Sequence, residues 1–162
     1  MKQPQALDTI LFLDIETVPE TTDFTQLDKE AQDLYAAKTA YKRKAANLSA
    51  EDYYSHAGIW AEFGKIICIS VGYVTTTTDG RQFRIRSFSG DEKQLLGTFK
   101  ALLDSHFSTV QHRLCAHNGK EFDFPFIARR LLKHQLELPY ILQLMGKKPW
   151  EVPHLDTLEL CI

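Results

Sequence analysis

The run Ile10-Leu-Phe-Leu-Asp-Ile-Glu-Thr-Val18 sets two carboxylates, Asp14 and Glu16, in what otherwise reads as a buried strand. Side chains at i and i+2 of a strand share a face, so both acids project together while Leu11, Leu13 and Ile15 pack the other side. Two acids on one rigid element are costly unless something cationic meets them. Paired oxygen donors of this kind suit a hard divalent cation such as Mg²⁺ or Mn²⁺. The alternative is that the strand ends here and both acids are solvated, with Thr17-Val-Pro19 opening a loop.

At 162 residues and 44% hydrophobic content, the chain fits a single domain spanning 1–162 with a real core, which excludes disordered and fibrous classes. The amino terminus lacks a basic stretch followed by an apolar one, and no apolar run reaches membrane-spanning length. A soluble, cytoplasmic protein without a membrane partner is expected. Cys68, Cys115 and Cys161 stand singly among apolar neighbours, as free thiols in a reducing compartment would.

The formal charge of −2 announces no global attraction to nucleic acid. Its distribution is more informative. Residues 36–48 carry Lys38, Lys42, Arg43 and Lys44 without an acid, and in 120–148 the cations Lys120, Arg129, Arg130, Lys133, Lys147 and Lys148 outnumber Glu121, Asp123 and Glu137. Such patches can steer a phosphate backbone toward an acidic site whose metals offset its charge, or they are ordinary solvated helix faces.

Along the chain, 20–60 reads as a polar, largely helical insertion, with Ser49-Ala-Glu-Asp52 as a helix start. Residues 66–74 and 81–88 form an antiparallel hairpin around Asp79-Gly80. Ser89-Gly-Asp-Glu92 has capping-box spacing before a helix through Leu95, Phe99, Leu102, Leu103 and His106. A short strand, Arg113–Ala116, then leads through His117-Asn-Gly119 to a second helix from Phe122, with Pro125 in its first turn. The piece from Val152 to Ile162 begins another strand or helix. This order predicts a mixed α/β sheet with flanking helices, as in RNase H-like folds.

Asp123, at the start of that second helix, reads by itself as an N-cap. Taken together, Phe12-Leu-Asp14-Ile-Glu16-Thr17 and His117-Asn118-Gly-Lys-Glu-Phe122-Asp123-Phe-Pro125-Phe resemble the first two motifs of the DEDD superfamily of 3′-to-5′ exonucleases. Within it the chain looks most like the exonucleases related to the proofreading domain of family B DNA polymerases. Phe63–Ser70 and His154-Leu-Asp156-Thr resemble the strands flanking those motifs, so the likeness spans most of 10–160 apart from the insertion.

The resemblance implies hydrolysis of phosphodiester bonds at single-stranded 3′ ends, DNA before RNA, by a mechanism using two Mg²⁺ or Mn²⁺ ions. It implies that Asp14 bridges both ions, Glu16 holds one and orients the water, and Asp123 completes the shell of the other. Asn118 and the backbone at Thr17 would position the scissile phosphate or terminal nucleotide. Phe122 or Phe124 would pack near the last base, with at least one of them in the core.

The family also carries a fourth acid in a late Tyr-x-x-x-Asp or His-x-x-x-x-Asp motif, which this sequence lacks. His154 and Glu159 have the His spacing, but the acid is Glu and the position is that of a strand, so the match reads as coincidence. The fold is therefore expected to be truncated before its last motif. The competing expectation is a catalytically incomplete module of the same fold that binds nucleic acid or protein. His117 reads as a proton shuttle or a packed loop histidine, and Asp156 as a structural acid or, with His154, a metal ligand.

Overall fold

The apolar residues of the first strand alternate as its pleat demands. In the computed structural model, which describes residues 6–160, strand β1 runs Ile10–Pro19 with Leu11, Leu13 and Ile15 buried and Asp14 and Glu16 exposed. Helix α1 follows at Lys29–Ala46, then strands β2 (Gly64–Thr77) and β3 (Gly80–Ser89) and helix α2 (Glu92–His106). Strand β4 (Arg113–Ala116), helix α3 (Asp123–Lys133), strand β5 (Leu155–Asp156) and a single helical turn, α4 (Thr157–Leu160), complete the order.

The five strands form one sheet in the order β3-β2-β1-β4-β5. β2 and β3 are antiparallel from Cys68↔Ser89 to Thr77↔Gly80, so the hairpin is closed by Thr78 and Asp79, and Gly80 takes the positive φ of 112°. β1 and β4 are parallel, with Phe12 opposite Cys115, and β4 and β5 are parallel, with Ala116 opposite Asp156. The mixed sheet with flanking helices is the RNase H-like fold that the element order predicts.

The residues divide into two compact units, one gathering those up to Glu16 with those from Ile66 onward, the other Thr17–Lys65. In the first, Leu95, Leu96, Phe99 and Leu103 of α2 and Phe124, Ile127 and Leu131 of α3 are buried. Each such side chain contributes about 1.5–3 kcal/mol. α2 begins two residues later than a Ser89 cap would place it, because Asp91 accepts the Gln94 N–H at 3.1 Å. Glu92 is thereby freed from capping and is buried. It accepts the Ile66 N–H (2.7 Å), Arg130 Nε (2.8 Å) and His134 Nε2 (2.7 Å), tying β2 and α3 to α2. Arg130 is 1% exposed, so it belongs to this ion pair and not to the basic surface patch.

The Thr17–Lys65 unit is built around Tyr35, Tyr54, Ala57 and Phe63. Tyr35 meets Phe63 and Tyr54 edge-on, with ring centroids 5.2 and 5.3 Å apart. Burial, and next the neighbouring Tyr53 and Tyr54, push the Tyr35 hydroxyl up to about 12. The long helix here is α1, started by Asp28, which accepts the Ala31 N–H at 2.8 Å, and ended by Asn47 at φ 51°. Ser49 and Asp52 do exchange capping hydrogen bonds, but a 3₁₀ segment, Tyr54–Ile59, follows instead of an α-helix. Much of the basic set on α1 is used internally: Lys38 pairs with Glu62 at 3.0 Å, Lys42 lies over Trp60, and Arg43 braces the carbonyls of Ala36 and Leu48.

Cys68 and Cys115 are free thiols, whereas Cys161 lies outside the described residues. No helix among the described residues is long and apolar enough to cross a membrane.

Candidate active site

Strands β1, β4 and β5 are parallel neighbours, so their carboxyl ends open on one side of the sheet, where ligands of α/β folds commonly bind. β4 stops at Ala116, while β1 continues. Carried forward, the register would set Ile15 opposite Asn118, but the chain has by then turned away: Asn118 adopts φ 59°. The Ile15 N–H is therefore left without a strand partner, and Asp123 supplies one. Its Oδ1 accepts that N–H at 3.2 Å.

This corrects the N-cap reading of Asp123. α3 starts at Asp123 itself, after Phe122, and the carboxylate spans to β1 instead of capping its own helix. It arrives beside the residue that separates Asp14 from Glu16. Asp123 is 3% exposed, and burial, followed by the charge of Asp14, pushes its pKa up to about 6. Two backbone N–H donors pull the other way, and Asp156 adds to the rise.

Asp156 is the contrast. It accepts the N–H groups of Asn118 (2.7 Å), Leu158 (3.0 Å) and Lys120 (3.1 Å). Burial alone would raise its pKa, but these donors and the Lys120 ammonium outweigh it and hold the carboxyl below its ordinary range. Its role is thus to shape the turn that carries Asn118 and leads to Asp123. Gly119 makes that turn possible, since a Cβ there would stand 2.5 Å from the Ala116 Cβ and 2.8 Å from the Phe124 ring.

His154 is also structural. Its Nδ1 accepts the Leu114 N–H at 3.2 Å and its Nε2 donates to the Ile141 carbonyl at 2.8 Å, so both nitrogens are engaged in one neutral tautomer. Burial, together with the charges of Arg113, Lys147 and Lys120, lowers its pKa to about 4 despite the Ile141 contact. It is no ligand. Glu159 meanwhile grips Lys120 Nζ with both oxygens at 2.9 and 2.8 Å, which removes any pairing of His154 with Glu159. His117 is exposed and shares a 3.0 Å hydrogen bond with Thr157.

Of the nucleotide-contact candidates, Asn118 is half-buried and its carboxamide makes no hydrogen bond among the described residues. Phe122 is half-buried against Phe126, ring centroids 5.4 Å apart, whereas Phe124 is fully buried against His154 and belongs to the core. Thr17 is half-buried and falls in the second unit.

Among the described residues, no three His, Cys, Asp or Glu side chains already stand as a formed metal cage. The donor chemistry nevertheless fits a hard divalent cation. Asp14 and Glu16 offer exposed carboxylates from one strand face, and Asp123 offers a buried one that makes no ion pair among the described residues.

The RNase H superfamily model matches residues 56–161, well over half of the chain, and the chain belongs to that superfamily. The matched stretch contains Asp123 and Asp156, while Asp14 and Glu16 precede it. Among solved structures, the family B DNA polymerase from the hyperthermophilic archaeon Pyrobaculum calidifontis is similar at a TM-score of 0.40 and 15% identity, over 80% of this chain. The chain spans 11% of that polymerase's length. No curated protein matches it. The fold is thus of nuclease type, in a superfamily whose nucleases generally use divalent metals.

Proposed function

We propose that this chain is a metal-dependent 3′-to-5′ exonuclease domain acting on single-stranded nucleic acid, with Asp14, Glu16 and Asp123 as its metal-holding acids. The observation that carries the reading is the reach of Asp123 from α3 to the Ile15 N–H, which sets a buried carboxylate near the charge of Asp14. Carboxylates whose pKa is raised by burial and by a neighbouring acid are concentrated at functional sites.

In the reaction, the oxygen of a water molecule bonds to the terminal phosphorus, and the bond to the 3′ oxygen of the penultimate nucleotide breaks. That oxygen takes up a proton, and a nucleoside 5′-monophosphate departs. Mg²⁺ or Mn²⁺ held by the acids would supply an activated water and charge stabilisation at the leaving oxygen. Glu16, exposed on the face it shares with Asp14, is suited to orient the water. Asn118 offers its unengaged carboxamide to the terminal nucleotide, and Phe122 an aromatic surface to its base. DNA is preferred over RNA on the strength of the motif resemblance. A cytoplasmic setting is proposed with it, since Cys68 and Cys115 are free thiols.

A second reading, a binding module without chemistry, is favoured by one observation, the lack of a ready-formed group of three metal ligands among the described residues. Stepwise shortening of an end-labelled single strand with Mn²⁺, compared across the protein and its Asp14→Ala and Asp123→Ala variants, separates the two. The exonuclease reading expects shortening that both variants abolish. Binding without shortening supports the module.

A further inference from the structure

Part of the basic set in 120–148 converges on one feature outside the acid site. Between α3 and the loop that leads toward β5 lies a cavity of about 280 Å³. Its floor is apolar, with Phe124, Leu132 and Met145 among its walls, and its cations are Lys120, Arg129 and Lys147. No acid lines it.

Lys120 is engaged by Glu159, but Arg129 and Lys147 are exposed and make no ion pair among the described residues. Apolar surface is exposed around the same opening: Met145 is 80% and Leu132 48% exposed, and Trp150, beside the lining residue Pro149, is 74% exposed. Unpaired cations around a recess with aromatic and apolar walls are what a single-stranded nucleic acid requires, phosphates on the cations and a base on the apolar surface. An apolar ligand alone would gain nothing from the two free cations. At about 280 Å³ the recess is just below the roughly 300–1,000 Å³ typical of small-molecule pockets, a size for one base and its sugar rather than a large cofactor.

The position along the chain is equally telling. Lys120 and Phe124 line the recess, and Asp123 lies between them in sequence, so the recess adjoins the start of α3 that carries the buried acid. We infer that this groove binds the nucleotides upstream of the cleaved one, with Arg129 and Lys147 on the phosphates and the Leu132–Met145 recess and Trp150 on a base. The inference rests on the nuclease reading and adds a strand-binding surface to it.

The test measures fluorescence anisotropy of a labelled single-stranded DNA oligonucleotide in EDTA, so that binding is read without cleavage. The Arg129→Glu/Lys147→Glu variant is compared with Arg84→Glu/Lys93→Glu, which makes the same charge change at exposed residues of β3 and α2. Thermal melts report whether each variant is folded. The groove predicts binding about tenfold or more weaker in the first pair, with the slope of log Kd on log salt lower by about 1.4, at about 0.7 per phosphate contact. The second pair should bind like the unchanged protein. Equal loss in both pairs, no loss in the first, or no binding by the unchanged protein overturns the inference. Cleavage assays with Mn²⁺, run in parallel, keep the two claims apart. A groove-dependent loss of binding without any metal-dependent shortening would sink the nuclease reading alone, while shortening that is indifferent to the groove variant, with binding unaltered, would sink the groove alone.

Discussion

Asp123 Oδ1 accepts the Ile15 N–H at 3.2 Å, so an acid on α3 takes the place of the strand partner that β1 loses where β4 ends. The contact locks the second acid motif onto the first by a backbone hydrogen bond. It also buries a carboxylate near another acid, and that arrangement has a thermodynamic signature.

Without metal, Asp123 should oppose folding above mildly acidic pH. Its folded pKa of about 6 exceeds the ordinary 3.8, so between those values the unfolded chain ionises first and stability falls as pH rises. The full loss is about 3 kcal/mol, reached above pH 6. Asp123→Asn keeps an acceptor for Ile15 and removes the charge. In EDTA it should melt several degrees higher than the unchanged protein at pH 8, at about 2–4 °C per kcal/mol, and equally at pH 4. Mn²⁺ should raise the melting temperature of the unchanged protein and not of the variant.

His154 should act in the opposite direction over much the same range. Its folded pKa of about 4 lies below the ordinary 6.5, so its stabilisation is full above pH 6.5 and is lost as pH falls toward 4. That loss is also about 3 kcal/mol, so the two slopes nearly cancel where they overlap. Denaturant titrations across pH 4–6.5 should show a shallow profile for the unchanged protein and a steeper rise toward high pH for Asp123→Asn. An equally shallow profile in that variant would contradict the assignment.

The Glu92 ion pair should be costly to break from one side and cheap to replace as a whole. Glu92→Ala takes the carboxylate away from Arg130, which is 1% exposed, and should cost about 3–5 kcal/mol. Replacing both partners by apolar residues, as in Glu92→Leu/Arg130→Met, should recover much of that loss. Chemical denaturation of the two variants checks the difference, and equal destabilisation would argue against the ion pair as the cause.

Gly119→Ala should destabilise by about 1–3 kcal/mol through overpacking against Ala116 and the buried Phe124 ring. It should also lower any nuclease activity, because the same turn carries Asn118. Gly72→Ala offers the comparison: its Cβ would meet the Phe83 ring, which is 58% exposed and can swing aside. Little or no loss of stability is expected there.

How much of this was legible in the sequence depended on whether the signal was local. β1 and α3 were readable because their burial follows their own period, with Pro125 marking the first turn of α3, and the β2–β3 hairpin was readable from its Asp79-Gly80 turn, since β3 buries Phe88 alone among its residues. α1 was not located, since it buries only Tyr35 and Thr39 and so leaves almost no helical stripe. Glu92 had the spacing of a capping acid, and only the packing of α2 on β2 and α3 reveals that Asp91 caps and Glu92 is buried. Arg130 looked like its neighbour Arg129 for the same reason: burial of a charge is a tertiary fact. At the site, the two acid motifs were visible, but the means that joins them is a backbone hydrogen bond to Ile15, which no side-chain pattern encodes.

The most direct test of the account is the shortening of an end-labelled single-stranded DNA with Mn²⁺ by the unchanged protein, Asp14→Ala and Asp123→Ala. The account predicts stepwise loss from the 3′ end, abolished in both variants and by EDTA. Intact DNA with the unchanged protein, or shortening that persists in the Asp123→Ala variant, would contradict it.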